Sequence, residues 1–318
     1  MSVLFKEKID QPVLVTGGAG FIGSHLVEAL VNQGLKVRVL DNLSGGKLAN
    51  LSKVSGAKEF FEFIKGDIRD RDLLENVLGG VGLVFHLAAM SSVPRSQLEP
   101  SLCLEINGQG SLNLMELAAK LGVKRLVYAS SSAVYGTLPA PHGEDLAPSP
   151  DSPYAVVKLM VEHLGRYFYE STGLETISLR FFNVYGPRQT ASGSEAGVIP
   201  IFFEALKNNQ APLIYGNGRQ TRDFIHVADV VRALILAAQV KDPGPSLFNV
   251  GTGRADSILE LLSLIKERFP GSPPPLHGPA RLGDPLQSVA SMERARAFLN
   301  FQAQVGLREG LSDIWPSL

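Results

Sequence analysis

A tyrosine and a lysine four positions apart, Tyr154 and Lys158, lie in a segment whose periodicity predicts a helix over residues 153–172. Side chains with this spacing share one face of a helix. Lowering a tyrosine pKa from about 10 to about 7 requires roughly 4 kcal/mol. One positive charge at about 5 Å supplies roughly 3 kcal/mol at an effective dielectric constant of about 20. The pair therefore predicts a tyrosine base whose phenolate is stabilised by the lysine ammonium group together with a second positive group. The alternative is an ordinary pair of surface residues.

Three consecutive serines, Ser130, Ser131 and Ser132, follow a strand predicted over residues 125–129. The carboxyl ends of parallel strands are where α/β sheets bind ligands. A serine hydroxyl there can both donate to and accept from a substrate hydroxyl. The alternative is that the serines have no catalytic role and only form a polar turn where the chain leaves the strand. This must be true of at least one of the three.

Three glycines, Gly17, Gly20 and Gly23, lie in the stretch TGGAGFIG between a strand predicted over residues 12–16 and a helix predicted over residues 21–33. Glycine allows a tight turn and a close approach of the backbone to a pyrophosphate, which the helix N-terminus can then bind. The pattern predicts a dinucleotide site, and its alternative is an ordinary strand-to-helix turn.

A carboxylate, Asp41, ends the second predicted strand, residues 36–41, about 20 residues beyond the glycines, where it can bind adenosine ribose hydroxyls. Its charge would repel a 2′-phosphate, and Asn42 rather than an arginine follows it. This favours NAD over NADP, with a strand-end turn as the alternative. Asp67, after the strand predicted over residues 61–65, is a candidate for the adenine amino group or else a helix cap.

Strand-like and helix-like segments alternate through the first half of the chain, which predicts an α/β fold with a Rossmann-type, doubly wound parallel sheet. The strands are predicted over residues 12–16, 36–41, 61–65, 83–87, 125–129 and 175–181, and the helices over residues 21–33, 70–78, 101–121 and 153–172. We expect a dinucleotide-binding domain over residues 1–182. The chain is expected to come back to this domain over residues 224–255, where a helix (224–239) and a strand (246–250) are predicted. A smaller α/β substrate-binding region would span residues 183–318.

Composition limits the remaining classes of function. Of the 318 residues, 45% are hydrophobic and 19% charged, and the formal net charge is −1, which argues against a disordered chain and against general nucleic-acid binding. The single cysteine, Cys103, allows no intrachain disulfide, and neither a signal peptide nor a membrane span is expected, so a cytoplasmic protein is favoured. The six histidines lack ligand spacing, so no metal is expected.

Five motifs occur in order along the chain: TGGAGFIG, HLAA (86–89), SSSAVYG (130–136), YAVVK (154–158) and RFFNVYGPRQ (180–189). Together they resemble the extended short-chain dehydrogenase/reductase family, and in particular the nucleotide-sugar 4-epimerases. The resemblance covers residues 12–311. It implies that Tyr154 is the base, that Lys158 also holds the nicotinamide ribose, and that Ser131, or the adjacent Ser132, is the catalytic serine.

The same resemblance implies contacts with NAD and with a UDP-sugar. The cofactor-binding residues are expected to be Gly17, Gly20, Phe21, Ile22, Gly23, Asp41, Asn42, Asp67, Ile68, Leu87, Ala88, Ala89 and Lys158. The substrate-binding residues are expected to be Ser92, Val93, Asn183, Val198, Tyr215, Arg222, Arg281, Asp284 and Ser288. Ser92 and Val93 would face the sugar, and Ile199 and Pro200 would border the nucleotide with Val198.

Within the substrate set, Asn183 and Arg222 would bind phosphate and Tyr215 would lie near the uracil, while Arg281 and Asp284 resemble a pair that binds diphosphate and ribose. The small side chain of Ser288 would leave room for a 2-acetamido group. The expected substrates are therefore UDP-glucose and UDP-galactose together with their N-acetylated counterparts.

The resemblance also frames the alternatives. Sugar 4,6-dehydratases carry an acidic pair before VYG, where this chain has Ser132 and Ala133, so no general acid for elimination is evident and a 4-epimerase is favoured. A UDP-glucuronate 4-epimerase, another nucleotide-sugar dehydratase or reductase, and a non-catalytic NAD-binding regulator stay open. A homodimer formed through the helices near 101–121 and 153–172 is a further implication.

Overall fold

The protein is described by a computed structural model over residues 5, 9–57, 59–190, 196–244, 246–281 and 284–314. Its centre is a parallel seven-stranded sheet whose strand order is β11-β6-β5-β4-β1-β2-β3. The strands are β1 (Val13–Thr16), β2 (Val37–Asp41), β3 (Phe61–Lys65), β4 (Leu83–His86), β5 (Arg125–Ser131), β6 (Glu175–Phe181) and β11 (Ser246–Val250). The crossover from β3 back to β4, which lies beside β1, makes the sheet doubly wound.

Helices cover both faces of the sheet because successive strand residues point to opposite sides. Val13 and Val15 of β1 belong to one apolar core, and Leu14 belongs to another on the opposite face. The first core includes helices α1 (Phe21–Val31) and α8 (Val227–Gln239). The second includes α2 (Arg71–Leu78), α5 (Gly110–Lys120) and α6 (Pro153–Thr172).

The segment predicted as one helix over residues 101–121 has three consecutive parts. The helix α4 (Pro100–Cys103) is followed by a π-helical stretch (Leu104–Gln109) and then by α5. Before them stands the short helix α3 (Val93–Leu98). A π-helical stretch is unusual and often lies at a functional site.

The helix predicted over residues 224–239 is wrong in its first three residues. Phe224–His226 form a strand, β10, that pairs in parallel with β7 (Asn183–Tyr185). The helix α8 begins only at Val227, because His226 caps it and accepts a hydrogen bond from the backbone N–H of Ala228. A short apolar run fits either structure, so periodicity alone could not separate them.

The C-terminal part of the chain adds a smaller α/β region around its own apolar core. Its helices are α7 (Val198–Lys207), α9 (Ile258–Lys266) and α11 (Leu307–Ile314), whereas the buried residues of α10 (Glu293–Leu299) belong to the first core of the main sheet. Its strands are β8 (Leu213–Tyr215), β9 (Thr221–Arg222), β12 (Asp256–Ser257), β13 (Leu276–Gly278) and β14 (Gln287–Ser288). Between these elements the chain returns to the main sheet, where β11 pairs with β6. The domain limits 1–182 and 183–318 remain predictions.

Membrane-spanning helices and clusters of metal-binding side chains are both absent from the ranges that the structure describes. None of the helices there is long and apolar enough to cross a membrane. No group of three or more His, Cys, Asp or Glu side chains is placed to hold a metal ion in those ranges. Cys103 is buried.

Candidate active site

A cleft of about 1090 Å³ lies along the carboxyl ends of the central strands. Its walls include Gly17 after β1, Asp41 at the end of β2, Leu87 after β4, Ser131 at the end of β5 and Phe181 at the end of β6. In a doubly wound sheet, ligands bind at this edge, next to the point where the strand order reverses. The sheet therefore brings together residues that are far apart in sequence.

The glycine turn forms a cradle without side chains at the start of α1. Gly17 has φ +71°, and a Cβ atom on it would lie 2.6 Å from the backbone nitrogen of Ala88. A Cβ on Gly23 would lie 2.2 Å from the carbonyl oxygen of Gly17. The N-cap of α1, Gly20, offers no side-chain cap, and the first N–H groups of a helix have no partner within it. These N–H groups are suited to a pyrophosphate.

Two carboxylates border the next part of the cleft. Both oxygens of Asp41 accept backbone N–H groups, from Ala19 at 2.9 Å and from Leu43 at 2.8 Å. Asp67 accepts hydrogen bonds from the side chains of Arg69 and Asn42. Hydrogen bonds from Arg69 lower the pKa of Asp67 to about 2, so Asp67 is ionised at neutral pH and its charge is balanced by the Arg69 guanidinium at 2.9 Å.

The alternative role considered for Asp67, capping the following helix, belongs to another residue. The N-cap of α2 is Asp70, whose side chain accepts from the backbone N–H of Leu73. Asp67 is thus left at the edge of the cleft, where its hydrogen-bond partners hold it in place. Its predicted contact with adenine remains a prediction.

A buried histidine fixes the cleft wall that follows β4. The ring of His86 bonds through Nδ1 to the Thr16 hydroxyl at 2.7 Å and through Nε2 to the Ser111 hydroxyl at 2.9 Å. Ser111 in turn donates to the carbonyl of Asn107, so it accepts the Nε2–H of the histidine. Burial, and secondarily the charge of Lys158, lower the pKa of His86 to about 3. A neutral histidine therefore holds β1, β4 and α5 together beneath Leu87, Ala88 and Ala89, which line the cleft.

The tyrosine and the lysine lie side by side on α6, one turn apart. Ser152 caps the helix by accepting from the N–H of Ala155, which places Tyr154 in the first turn. The Lys158 Nζ is 5.7 Å from the centroid of the Tyr154 ring and donates to the carbonyl of Ala129 at 2.8 Å. Burial lowers the pKa of Lys158 to about 8, so the ammonium form still predominates at neutral pH.

The three serines have different surroundings. Ser131 lines the cleft, and its hydroxyl accepts a hydrogen bond from the N–H of Ala133. Ser130 also lines the cleft, but its hydroxyl is directed to Glu162, to which it donates at 2.5 Å. Ser132 starts a 3-10 turn, Ser132–Tyr135, and among the described residues it is not part of the cleft lining. Ser131 is thus the serine whose position agrees best with the predicted catalytic role.

The residues of this cleft fit NAD. The glycine cradle and the N-terminus of α1 would hold the diphosphate, and Asp41 would hold the adenosine ribose. Asp67 would lie at the adenine end. Lys158, beside Tyr154, would hold the nicotinamide ribose at the other end of the cleft. The predicted cofactor-binding residues all line this one cleft.

Two predicted substrate residues line the same cleft. Asn183 begins β7 and Val198 begins α7, and Ile199 and Pro200 also face the cleft. Ser92 is buried as the N-cap of α3, and Val93 is the first residue of that helix. Neither Ser92 nor Val93 is among the described residues that line the cleft, although the nearby Ser91 and Arg95 are, and the contact of Ser92 and Val93 with the sugar remains a prediction.

The other five predicted substrate residues form a separate group, here called the C-terminal cluster: Tyr215, Arg222, Arg281, Asp284 and Ser288. Arg222 pairs with Asp284 and donates to the carbonyls of Thr221 and Pro285. The guanidinium of Arg281 lies 3.9 Å from the centre of the Tyr215 ring. Ser288, which is buried, is the strand partner of Arg222.

The C-terminal cluster does not contribute to the cleft lining as the described residues define it. The backbone nevertheless links the two. The residue after Arg222, Asp223, accepts the N–H of Asn183 through its carbonyl at 3.0 Å, and the next residue, Phe224, lines the cleft. A ligand that extends from the cleft past Asn183 would therefore approach this cluster.

Sequence reasoning assigned no role to Arg188, which also lines the cleft. Its guanidinium bonds to Ser24 and Glu28 of α1, and His25 of the same helix bonds to the carbonyl of Pro187. The loop after β7 is thereby fixed to the helix of the glycine cradle. Arg188 stands in the motif RFFNVYGPRQ, but nothing in that motif indicates a partner on α1.

Comparison with known proteins agrees with this geometry. The family model described as the NAD dependent epimerase/dehydratase family matches residues 13–251. A UDP-glucose 4-epimerase from Mycolicibacterium smegmatis is 42% identical over 303 residues, which are 94% of this chain and 96% of that protein.

Solved structures show the same architecture. A UDP-N-acetylglucosamine 4-epimerase from Methanobrevibacter ruminantium, in complex with UDP-N-acetylmuramic acid, has a TM-score of 0.91 at 38% identity, over 98% of this chain and 100% of that chain. The Thermus thermophilus UDP-glucose 4-epimerase complex with NAD has a TM-score of 0.86 at 38% identity, over 96% and 98% of the two chains. The predicted family resemblance, fold class, enzyme class and NAD cofactor are confirmed.

Proposed function

Because the chain belongs to the NAD-dependent epimerase/dehydratase family, we propose that it is a UDP-hexose 4-epimerase. It would interconvert UDP-glucose and UDP-galactose through a 4-keto sugar. The observation that carries the proposal is the convergence of Tyr154, Lys158 and Ser131 on the cleft that also contains the glycine cradle. The similarity to UDP-sugar 4-epimerases supports the choice of substrate class.

The base in this proposal is Tyr154. Its phenolate takes the proton of the sugar C4 hydroxyl, and the Ser131 hydroxyl orients the same oxygen by a hydrogen bond. The Lys158 ammonium stabilises the phenolate through their shared position on α6. When bound, NAD supplies a reversible acceptor and donor of hydride at C4.

Inversion requires that the keto sugar presents its other face before C4 is reduced again. The nucleotide must stay bound during this turn, so its anchor has to lie apart from the reacting carbon. Asn183 and the C-terminal cluster would supply that anchor. Arg222 would bind a phosphate group, because the paired N–H donors of a guanidinium match the spacing of phosphate oxygens. Tyr154 then returns the proton to the C4 oxygen.

Elimination of water from the sugar is not favoured by these residues. Loss of the C6 hydroxyl needs a general acid near it and a base for the C5 proton. The turn that follows Ser131 carries Ser132 and Ala133, neither of which is an acid at neutral pH. This supports epimerase over dehydratase.

We extend the proposal to N-acetylated substrates. Ser288 is a small residue in the C-terminal cluster, where a bulky aromatic side chain would take up space. The small side chain is consistent with room for a 2-acetamido group, so UDP-N-acetylglucosamine is also expected to react. A solved relative is itself named a UDP-N-acetylglucosamine 4-epimerase.

We also propose a homodimer formed through α6 and the run from α4 to α5. Leu104 and Val156 on these elements are 49% and 51% exposed, and Tyr167 is 60% exposed. Covering such side chains in a symmetric interface would remove apolar surface from water. Light scattering after gel filtration tests this, and a monomeric mass at all concentrations would refute it.

The function is tested with the purified protein and three substrates: UDP-glucose, UDP-N-acetylglucosamine and UDP-glucuronate. Proton NMR of the products is expected to show the 4-epimers of the first two. The appearance of 4-keto-6-deoxy or decarboxylated sugars instead would overturn the proposal. Turnover of UDP-glucuronate alone would indicate that the protein is a uronate 4-epimerase instead.

A further inference from the structure

A buried ion pair lies one helical turn beyond the lysine of the proposed catalytic pair. The carboxylate of Glu162 on α6 accepts two hydrogen bonds from Arg180 of β6, at 2.9 Å and 2.7 Å. The side chains of Arg180 and Glu162 are only 2% and 8% exposed. A buried pair of this kind gives little net stability compared with well-packed apolar residues, so stability alone does not explain its position.

The same carboxylate reaches the strand that carries the catalytic serine. Glu162 accepts a hydrogen bond from the hydroxyl of Ser130 at 2.5 Å, and Ser130 is the strand partner of Arg180. Successive residues of a strand point to opposite faces. Fixing Ser130 on the α6 side therefore fixes the direction of Ser131, which follows it.

The charge of Glu162 also acts on Lys158. Tyr154, Lys158 and Glu162 are spaced four residues apart and share one face of α6. Burial lowers the pKa of Lys158, whereas Cys103 of α4 and Glu162 act in the opposite direction. His86 of β4 also lies within electrostatic reach of Lys158 and is neutral. Of the groups around Lys158, Glu162 is thus the carboxylate that favours its ammonium form.

We propose that Glu162 is a positioning residue for the reaction: it places a carboxylate one helical turn from Lys158 and holds Ser131 in line through Ser130, while Arg180 keeps the buried carboxylate in place. This role rests on the proposed function, in which Lys158 and Ser131 assist Tyr154. Glu162 itself is set back from the reacting atoms, because its carboxylate is taken up by Arg180 and Ser130.

The test is Glu162→Gln, which keeps the shape of the side chain but removes its charge. A buried charge at helical spacing shifts a neighbouring pKa by about one unit. The alkaline limb of kcat/KM against pH is therefore expected to move about one pH unit lower, because Lys158 loses its proton earlier. Turnover would fall about tenfold at the alkaline end of the profile and about threefold or less at mildly acidic pH. Glu162→Asp retains the charge and should keep the position of the alkaline limb.

A second readout does not depend on the identity of the sugar. The phenolate absorbance of Tyr154, obtained by subtracting the titration of Tyr154→Phe, is expected to develop at higher pH in Glu162→Gln than in the parent protein. The double variant Glu162→Gln/Arg180→Met leaves no unpaired buried charge, so it guards against a failure to fold. It should show the same direction of both shifts.

The matched control is Asp229→Asn, which removes a carboxylate from another buried ion pair. Asp229 pairs with Arg232 at 2.7 Å, with side chains 2% and 11% exposed, and neither residue lines the cleft. This variant is expected to lose stability but to keep the parent pH profile. Folded Glu162 variants with an unchanged alkaline limb and phenolate titration would overturn the proposal. A phenolate shift without epimerase activity in the parent would instead refute the proposed function, while leaving the coupling of Glu162 to Lys158 and Tyr154 established.

Discussion

The two proposed binding regions, the glycine cradle and the C-terminal cluster, are built in different ways. At the proposed cofactor end, the backbone would form the site, because Gly17 and Gly23 leave no room for a Cβ and α1 presents its N-terminus. At the C-terminal cluster, the proposed substrate site consists of side chains that already pair with each other, Arg222 with Asp284 and Arg281 with Tyr215. A backbone site is preorganised and tolerates little change, whereas paired side chains must exchange partners when a ligand arrives.

This difference sets the expected sizes of substitution effects. Changes beside the proposed base and in the cradle should abolish turnover or cofactor binding. Changes in the C-terminal cluster should act mainly on substrate affinity and choice.

The largest effect is expected for Tyr154→Phe. Loss of a general base costs about 10²–10⁴-fold in rate, and phenylalanine has no hydroxyl that could accept or return the proton. Turnover of UDP-glucose should fall below detection while bound NAD, measured after denaturation, stays at the parent level. Tyr167→Phe, an exposed tyrosine on the same helix, serves as the control and should be neutral. Substantial turnover by Tyr154→Phe would contradict the assignment of the base.

The next largest effect is expected for Gly23→Ala. The added Cβ would lie 2.2 Å from the Gly17 carbonyl oxygen, so the cradle must open to admit it. We expect the purified variant to retain little NAD, with affinity reduced by about 100-fold, equivalent to roughly 2.7 kcal/mol. Gly56→Ala, where a Cβ would meet nothing within 4 Å, should leave cofactor content unchanged. Full NAD occupancy in Gly23→Ala would show that the cradle is not the diphosphate site.

Arg222→Met is expected to act on substrate rather than on cofactor. A hydrogen bond to a charged group contributes about 1.5–3 kcal/mol, which corresponds to a rise in KM of roughly 10- to 100-fold. Arg222→Lys keeps the charge without the fork and should give a smaller rise. The exposed Arg219, changed to Met, is the control. Unchanged KM in a folded Arg222→Met would remove the C-terminal cluster from the substrate path.

The smallest effect, and the most selective, is expected for Ser288→Tyr. The aromatic ring would occupy space that an acetamido group needs, so kcat/KM for UDP-N-acetylglucosamine should fall more than that for UDP-glucose. One or two unfavourable contacts are worth about 1–3 kcal/mol, or roughly 10- to 200-fold in selectivity. Ser288→Ala keeps the space and should preserve the ratio. Equal losses on both sugars would count against this role of Ser288.

The glycine turn and the shared helix face of the proposed cofactor end could be predicted from the sequence because their requirements are local. The spacing of Gly17, Gly20 and Gly23 reports where the backbone must turn and approach closely, and the four-residue spacing of Tyr154 and Lys158 reports a shared helix face. Both signals can be read without knowledge of the rest of the chain. The order of strands and helices in the main sheet followed from periodicity for the same reason.

Other features depended on contacts between distant segments. Arg222 and Asp284 are 62 residues apart and Glu162 and Arg180 are 18 apart, and no spacing rule links such partners. The strand at Phe224–His226 was mistaken for the start of a helix because its character comes from pairing with β7. The π-helical stretch Leu104–Gln109 likewise has no signature in local propensity.

The most direct test of the account follows the hydrogen on C4. UDP-glucose carrying deuterium at C4 is incubated with the protein in ordinary water, and the recovered UDP-galactose is examined by mass spectrometry and proton NMR. If the hydrogen leaves C4 as hydride and returns to the same carbon inside the cleft, the product should retain the deuterium at C4. Exchange of that deuterium for solvent hydrogen, or product formed without inversion at C4, would contradict the proposed chemistry.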